Sequence, residues 1–331
     1  MMMTFADARR LAIDVLTKHA VAAEHAEIVA NHLVDAASAG HAFAGLPRVL
    51  ALVNNLKNRP AARPISIERK GRNAARIDGG GTNGYVTSLI AMDLAIDLAR
   101  EAGIGMVGVR DTWFSGRLSY YVERAAQQGF VAMHTANTSA LVAPAGGIDR
   151  IFGTNPIAFA FPSDPEPLVV DFSTGMTTWG EVLLREKLGK PLEPGWAIDA
   201  EGRPTTDPTE ALRGAFVAWG GHRGSALALV IQALAILCGG KPVADDVAES
   251  GFFFLAFNPE LLMPLGEFRA KVGELVRHLE TSRPAPGAAA VRVPGRTSAA
   301  RRAESLRKGM IEVDEAVYAS LVALRDQAAA N

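Results

Sequence analysis

Strand-like and helix-like segments alternate between residues 74 and 135, and this alternation restricts the fold more than any other feature of the chain. Strand-like runs cover residues 74–78, 105–110 and 130–135, and helical patterns cover 86–102 and 119–128. Short strands separated by helices of this length are typical of an α/β sheet. Further apolar strands are predicted at residues 157–161, 168–170 and 252–257, so the sheet should extend well beyond this region.

Helical patterns occupy both ends of the chain. Two helices are predicted within the first 39 residues, a third covers 46–56, and the tail 298–331 is also helical. The segment PAARP at 60–64 is a plausible domain edge. The helix 225–238 is apolar nearly all round its circumference, which predicts that it is buried.

Charge and cysteine content exclude several classes of protein. The chain has 34 Lys+Arg against 35 Asp+Glu, so its overall charge gives no reason to expect a nucleic-acid or membrane partner. Its single cysteine, Cys238, lies in an apolar run and fits a core position in a reducing compartment. The N-terminus has no signal-peptide pattern, and no apolar run is long enough to span a bilayer. We expect a soluble, cytoplasmic protein without a metal site.

A glycine-rich loop at residues 79–84 matches the spacing G-x-G-x-x-G between a strand and a helix. In a dinucleotide-binding fold such glycines let the backbone approach a pyrophosphate at a helix N-terminus. That motif also needs an acidic residue at the end of the next strand, about 20 residues on. Here the next strand ends later, at Arg110-Asp111. We therefore favour a plain loop over a cofactor site.

Five other stretches and a short C-terminal motif are more specific in combination. They read GHAFAGLPR at 40–48, FGTNPIAF at 152–159, VDFSTGM at 170–176, GWAIDAEGRPTTDP at 195–208, GGHRGSAL at 220–227 and VPGR at 293–296. In this order and spacing the chain resembles the malate/L-lactate dehydrogenase family of the non-Rossmann type. That family includes ureidoglycolate, sulfolactate and 2,3-diketogulonate enzymes and the ketimine reductases that act on piperideine- and pyrroline-2-carboxylate.

The resemblance implies an α/β fold with a mixed-sheet, non-Rossmann nicotinamide-binding core and a helical domain built from both termini. Residues 1–60, joined by 297–331, would form the helical domain, and residues 61–296 would form the sheet domain that binds cofactor and substrate. The family also implies a homodimer. The cofactor would be NAD or NADP, and Arg296, Arg301 and Arg302 offer cations for the 2′-phosphate of NADP.

Family positions also imply a set of cofactor contacts. Hydroxyls and small residues let a backbone approach and bind a pyrophosphate, and cations neutralise it. The expected cofactor-binding residues are Thr138, Ser139, Asp171, Phe172, Ser173, Thr174, Gly175, Met176, His222, Arg223, Gly295 and Arg296.

Two departures from the family pattern affect the chemistry. The family motif Gly-His-x-Ser-His-Gly-x-x-Arg has Phe43 in place of its serine and Ala44 in place of its second, proton-donating histidine. In the motif Asn-Ser-x-His-Phe-Gly, Phe114 replaces the histidine. Neither side chain can transfer a proton. The expected substrate pocket contains His41, Phe43, Ala44, Phe114 and Thr154, and Phe43, Trp113, Phe114 and Trp179 are candidates for an apolar cage.

Arg48 and Asp199 remain as candidate catalytic residues. A guanidinium suits a substrate carboxylate as a bidentate partner, so we assign Arg48 that role by family position. Asp199, in a loop that borders the site in relatives, is the best remaining candidate for an acid/base group. His41 precedes a helix and fits a structural role better than a catalytic one.

Three hypotheses for the function remain open at this point. In the first, nicotinamide hydride reduces a small cyclic 2-imino acid, whose protonated form needs no general acid. In the second, the enzyme is a 2-oxo acid reductase or 2-hydroxy acid dehydrogenase with a replacement donor such as Asp199 or water. In the third, the chain binds cofactor without turnover. The sequence does not choose between NAD and NADP.

Overall fold

The computed structural model describes residues 1–327, in which helices and strands alternate. The helices are α1 (Phe5–Lys18), α2 (Ala23–Ser38), α3 (Pro47–Lys57), α4 (Gly84–Ala102), α5 (Ser119–Gln127), α6 (Trp179–Lys187), α7 (Pro208–Arg213), α8 (His222–Leu237), α9 (Leu265–Glu280), α10 (Arg296–Lys308) and α11 (Glu315–Asp326). The strands are β1 (Met2–Thr4), β2 (Ser66–Arg69), β3 (Ala74–Asn83), β4 (Ile104–Trp113), β5 (Val131–Ala136), β6 (Val142–Ala143), β7 (Ile157–Phe161), β8 (Leu168–Phe172), β9 (Ala197–Ile198), β10 (Pro204–Thr205), β11 (Ala215–Val217), β12 (Phe252–Phe257) and β13 (Met310–Glu312).

The chain divides into two compact units. Residues 1–62, with the described residues from 276 onward, form the terminal unit, and residues 63–275 form the sheet unit. The sequence placed the second boundary after residue 296, whereas here it lies inside α9. A salt bridge of 3.0 Å from Arg296 to Glu280 connects the end of α9 to the start of α10 within the terminal unit.

The sheet unit is built on a mixed seven-stranded sheet in the order β2-β3-β4-β12-β5-β7-β8. β3 and β4 pair in parallel because α4 connects them as a crossover. The other neighbouring strands pair antiparallel. β12, whose sequence is FFFLAF, lies between β4 and β5, and Phe252 and Phe254 are almost fully buried there. The predicted mixed-sheet α/β fold is confirmed.

The glycine-rich segment is part of β3 rather than a free loop. The strand continues to Asn83 through an irregularity between Asp78 and Thr82. A Cβ added to Gly80, whose φ is +60°, would lie 2.4 Å from the Arg63 carbonyl oxygen, and one added to Gly79 would lie 2.7 Å from that of Asp111. These two glycines therefore make room for the chain's own backbone.

Trp113 supports the irregular part of β3 between Asp78 and Thr82. Its indole Nε1 donates a 2.8 Å hydrogen bond to the Gly81 carbonyl oxygen, and its side chain is 1% exposed. The sequence suggested Trp113 as part of an apolar cage around a substrate. That suggestion was wrong, because the ring is buried inside the sheet unit.

Helix α8 also differs from the expectation. Ala228, Ile231 and Ala235 on one face are buried, but on the other face Leu229 is 60% exposed and Leu237 is 74% exposed. The prediction of a fully buried helix was therefore wrong. A helix with apolar residues all round it need not be covered on every face by the rest of its own chain. No helix among residues 1–327 is long and apolar enough to cross a membrane.

Candidate active site

Three threonines bring separate loops of the sheet unit together. The Thr154 backbone N–H donates to Thr138 Oγ1 at 3.0 Å, and its carbonyl oxygen accepts from both the backbone N–H and the hydroxyl of Thr174 at 2.9 and 3.0 Å. We call Thr138, Thr154 and Thr174 the threonine cluster. Gly153 permits this approach, since a Cβ there would lie 2.2 Å from Thr138 Oγ1. The structure therefore joins three segments that the sequence assigned to one site.

The threonine cluster is connected to the beginning of α8. Trp219 N–H donates to the Thr174 carbonyl oxygen at 2.9 Å, and Met176 N–H donates to that of Val217 at 2.8 Å. Gly224, in the first turn of α8, fits closely because a Cβ there would lie 1.9 Å from the Trp219 carbonyl oxygen. The segment 173–176 and the N-terminal end of α8 are thus held on one framework.

The N-terminal end of α8 has the features of an anion site. Gly220 and Gly221 have φ values of +62° and +61°, and added Cβ atoms would meet nothing within 4 Å. Gly221 is the N-cap of the 16-residue helix and supplies no side-chain cap, and in the first turn the Arg223 N–H makes only a long, 3.4 Å hydrogen bond to the Gly220 carbonyl oxygen. His222 and Arg223 are exposed beside them. Backbone N–H groups, a helix dipole and two basic side chains fit a pyrophosphate.

The remaining residues of the 171–176 segment have identifiable contacts. The Asp171 carboxylate accepts a 2.8 Å hydrogen bond from Ser119 N–H, at the first residue of α5. Phe172, 36% exposed, lies edge-on to Trp219 with ring centroids 5.9 Å apart. The Ser173 hydroxyl donates to the Gly175 carbonyl oxygen at 3.1 Å. Ser139 and Gly175 are partly buried and Met176 is exposed.

The other expected site residues lie in the terminal unit: His41, Phe43, Ala44, Arg48, Gly295 and Arg296. His41 Nε2 is 3.0 Å from Ser298 Oγ, which joins the 40–48 loop to the start of α10. The Arg48 guanidinium lies 5.9 Å from the centroid of the Phe43 ring, which is 55% exposed. A cation beside an exposed aromatic ring is a suitable place for a carboxylate that carries an apolar body.

The cations suggested for a 2′-phosphate already have contacts within the terminal unit. Arg296 pairs with Glu280, and Arg302 lies 3.3 Å from the Asp35 carboxylate. The side chain of Arg301 covers Gly40, whose added Cβ would lie 2.5 Å from its Cδ. Gly295, with φ +78°, is the N-cap of α10. These contacts give no distinction between NAD and NADP.

Phe114, where the family resemblance led us to expect a histidine, has a rare backbone conformation. Its φ of +58° lies in the left-handed region, which costs a bulky residue on the order of 1–3 kcal/mol. Its ring is partly buried and lies edge-on to Trp113, with centroids 5.4 Å apart. Such strain is concentrated at functional sites. Phe114 therefore offers an apolar ring, which cannot transfer a proton, where the family resemblance led us to expect a histidine.

Asp199 is engaged in its own turn. Its carboxylate accepts from the backbone N–H groups of Glu201 and Arg203 at 3.0 and 2.9 Å, and from Arg203 Nε at 2.8 Å. The Arg203 guanidinium is the main cause of a lowered pKa at Asp199. A carboxylate held in its ionised form by these donors is poorly suited to donate a proton near neutral pH.

The sequence did not predict the role of two buried side-chain amides, those of Asn155 and Gln232. Asn155 is 0% exposed and lies beside Thr154, and Gln232 is 3% exposed on the inner face of α8. Gln232 had a signal in the sequence, because it is the one side-chain amide in an otherwise apolar stretch of the helix. Asn155 stood inside a quoted motif but was assigned no role.

Comparison with known proteins identifies the family. A family model described as malate/L-lactate dehydrogenase matches residues 3–322. The chain belongs to this family. It is therefore an oxidoreductase, and the family implies a nicotinamide cofactor.

Named relatives have different substrates. The L-sulfolactate dehydrogenase of Methanocaldococcus jannaschii is 35% identical over 325 residues, covering 95% of this chain and 93% of that protein. A Δ1-pyrroline-2-carboxylate/Δ1-piperideine-2-carboxylate reductase of Pseudomonas aeruginosa is 34% identical over 330 residues, covering 97% and 98%. The solved structure of the M. jannaschii sulfolactate dehydrogenase superposes with a TM-score of 0.88 at 33% identity, covering 98% of this chain and 96% of that one.

Proposed function

We propose that this oxidoreductase uses NADH or NADPH to reduce a small cyclic 2-imino acid, a ketimine with a carboxylate next to the C=N bond. The observation that carries the proposal is that Ala44 and Phe114 stand where the family resemblance leads us to expect two histidines. Relatives that reduce pyrroline- and piperideine-2-carboxylate support this substrate class, and relatives that act on sulfolactate and malate represent the alternative.

The missing donors matter more for a ketone than for an imine. General acid catalysis contributes about 10²–10⁴-fold to such reactions, and a neutral ketone needs a proton as the hydride arrives. A cyclic imine can be protonated before the reaction and then carries both the proton and the positive charge. Apolar aromatic side chains tolerate such a cation, and the exposed Phe43 ring offers a surface for it.

The residues of the sheet unit would bind the cofactor. The threonine cluster, the 171–176 segment, and His222 and Arg223 at the start of α8 would hold its pyrophosphate and orient its nicotinamide end. The bound cofactor supplies the hydride. A family role in cofactor binding is also proposed for Gly295 and Arg296, where Gly295 allows the turn before α10.

The residues of the terminal unit would bind the substrate. Arg48 would pair with the substrate carboxylate, and Phe43 would contact its ring. His41 would hold the loop through Ser298 rather than transfer protons. Asp199 would keep its turn in place, because its carboxylate already accepts three hydrogen bonds.

We further infer that the protein is a homodimer that associates through the exposed face of α8. This face consists of Ala226, Leu229, Val230, Ala233, Ile236 and Leu237. No charged residue occurs between Gly224 and Cys238, so the face offers nothing to a charged partner. A second copy presents the same apolar face, and twofold packing would cover both.

One comparison tests the substrate assignment. Purified protein is assayed with NADH and NADPH on a cyclic 2-imino acid and on an open-chain 2-oxo acid of similar size, over a pH series from about 6 to 10. We expect faster turnover of the imine, with activity falling as pH rises past the pKa of the iminium. Faster turnover of the 2-oxo acid would reject the proposal, and binding of cofactor without any turnover would favour an inactive homologue.

Restoring the lost donor gives a second arm of the same experiment. The variant Ala44→His should increase ketone reduction more than imine reduction, because only the ketone lacks a proton. An equal increase for both substrates would show that the absent histidine does not explain the preference.

A further inference from the structure

A buried chain of two side-chain amides connects the threonine cluster to the middle of α8. Asn155 Nδ2 donates to the Ala228 carbonyl oxygen at 3.0 Å and to Gln232 Oε1 at 2.9 Å. Gln232 Nε2 in turn donates to the carbonyl oxygens of Lys241 and Pro242 at 3.3 and 3.0 Å. The chain of hydrogen bonds thus runs from the turn at 153–155, through the helix, to the loop that follows it.

The direction of these hydrogen bonds is determined by their partners. Asn155 faces two oxygen atoms, so its NH₂ group must point toward them, and the Gln232 oxygen must then face Asn155. Asn155 also has a φ of +36°, in the left-handed region that asparagine tolerates better than most residues. Both the backbone and the side chain at this position therefore favour asparagine.

The position of the amides connects them to the cofactor residues. Asn155 directly follows Thr154, whose backbone binds both Thr138 and Thr174. Gln232 lies on the same helix as His222 and Arg223. A helix transmits a displacement along its axis, so loss of the contact at Ala228 and Gln232 would move its N-terminal end relative to the threonine cluster.

We propose that Asn155 and Gln232 are positioning residues for the cofactor. They set the distance and rotation of α8 relative to the threonine cluster, and thereby align His222 and Arg223 with the Thr138 and Thr154 turns. This inference rests on the proposed placement of the nicotinamide cofactor at those residues. Both amides are buried, so their effect on affinity would be transmitted through the two elements that they join.

Nearly isosteric substitutions test the proposal. Asn155→Asp replaces a donor with an oxygen that faces two other oxygens, and Gln232→Glu does the same toward Lys241 and Pro242. Because a buried mismatch of this kind is comparable to the loss of one or two hydrogen bonds, we expect the Kd for NADH or NADPH to rise about ten-fold or more. The measurement is fluorescence titration of the full-length protein, with circular dichroism and Tm recorded in parallel.

Thr87→Val is the matched control. It removes a buried 2.8 Å hydrogen bond between Thr87 and Thr112 elsewhere in the sheet unit. It should lower Tm but leave the cofactor Kd unchanged, which separates a positioning role from general destabilisation. If Asn155→Asp does not fold, Gln232→Met takes its place. That variant removes the amide contacts while keeping an apolar helix former, and we expect a smaller rise in Kd of about three-fold.

A parallel cofactor titration of Arg223→Ala separates the positioning role of the amides from the proposed cofactor placement. A raised Kd in Arg223→Ala together with an unchanged Kd in the amide variants overturns the positioning role alone. An unchanged Kd in Arg223→Ala and in the amide variants overturns the proposed cofactor placement, and this inference with it. A raised Kd in the amide variants, without an effect of Thr87→Val, supports the inference.

Discussion

Among single residues, Arg48 makes the proposed contact with the substrate carboxylate. Charged hydrogen bonds of this type are worth about 1.5–3 kcal/mol, so Arg48→Ala should raise the substrate KM roughly ten- to a hundred-fold. Arg48→Lys keeps the charge without the planar pair of donors and should have an intermediate effect. The measurement is steady-state kinetics with the preferred substrate at saturating cofactor.

The controls for Arg48 are a second arginine and a second ligand. Arg10 is exposed on α1, and Arg10→Ala should leave KM unchanged. The cofactor Kd should stay the same in Arg48→Ala. The assignment fails if the KM of Arg48→Ala equals that of the unchanged protein.

At the scale of secondary-structure elements, α8 supports the proposed dimer. Leu237 and Leu229 are 74% and 60% exposed on its outer face. Placing a charge there, as in Leu229→Arg, would force burial of an unpaired cation and should shift the protein from a dimer to the mass of one 35.0 kDa chain. Size-exclusion chromatography with light scattering measures the mass.

A matched control for α8 is available in another element. Leu262 is 88% exposed, beyond the end of β12. Leu262→Arg should therefore leave the mass unchanged. A monomer for the unchanged protein, or a dimer for Leu229→Arg, would contradict an α8 interface.

The existence of most elements could be predicted from sequence, but their partners could not. The alternation between residues 74 and 135 specified strands and helices within a few residues, and FFFLAF read correctly as a buried strand. Its place between β4 and β5 could not be read, because strand pairing at long range leaves no local pattern. For the same reason the glycines at 79 and 80 resembled a ligand loop, although their close neighbours are the backbones of Arg63 and Asp111.

From the sequence, site residues could be predicted only at positions that the family resemblance implied. Thr138, Thr154 and Thr174 were each predicted as site residues from the family resemblance, whereas Asn155 and Gln232 became visible only through their mutual hydrogen bond. The role of Asp199 also depends on three-dimensional contacts. Its hydrogen bonds to Glu201 and Arg203 form only in the folded turn.

At the scale of the whole molecule, one buried histidine links stability to pH. His134 is 0% exposed, and its ring stacks on Phe254 with centroids 3.9 Å apart. Burial lowers the pKa of His134 from 6.5 to about 3. Below about pH 6.5 the His134 imidazole is therefore protonated in the unfolded chain but stays neutral in the folded chain. The contribution of neutral His134 to the free energy of unfolding is therefore fully present above about pH 6.5. Below it, the free energy of unfolding should fall by up to about 1.4 kcal/mol for each pH unit toward pH 3.

Denaturant unfolding at pH 7, 6, 5 and 4 measures this contribution. His134→Gln cannot be protonated in this range, so its free energy of unfolding should depend less steeply on pH than that of the unchanged protein. Leu262 is 88% exposed, and Leu262→Gln adds or removes no titratable group, so it should leave the pH dependence as it is. Parallel curves for the unchanged protein and His134→Gln would contradict this explanation.

The central position of β12 has a consequence for how the protein is made. Its neighbours β4 and β5 leave the ribosome long before residues 252–257 are synthesised, and each presents unpaired backbone groups on the side that β12 will occupy. Until then the nascent sheet has an open, apolar gap in its middle rather than at its edge. Closure of this gap is a late, long-range step that should limit the folding rate. Chains that stop before this step expose the unpaired edges of β4 and β5, which favour aggregation.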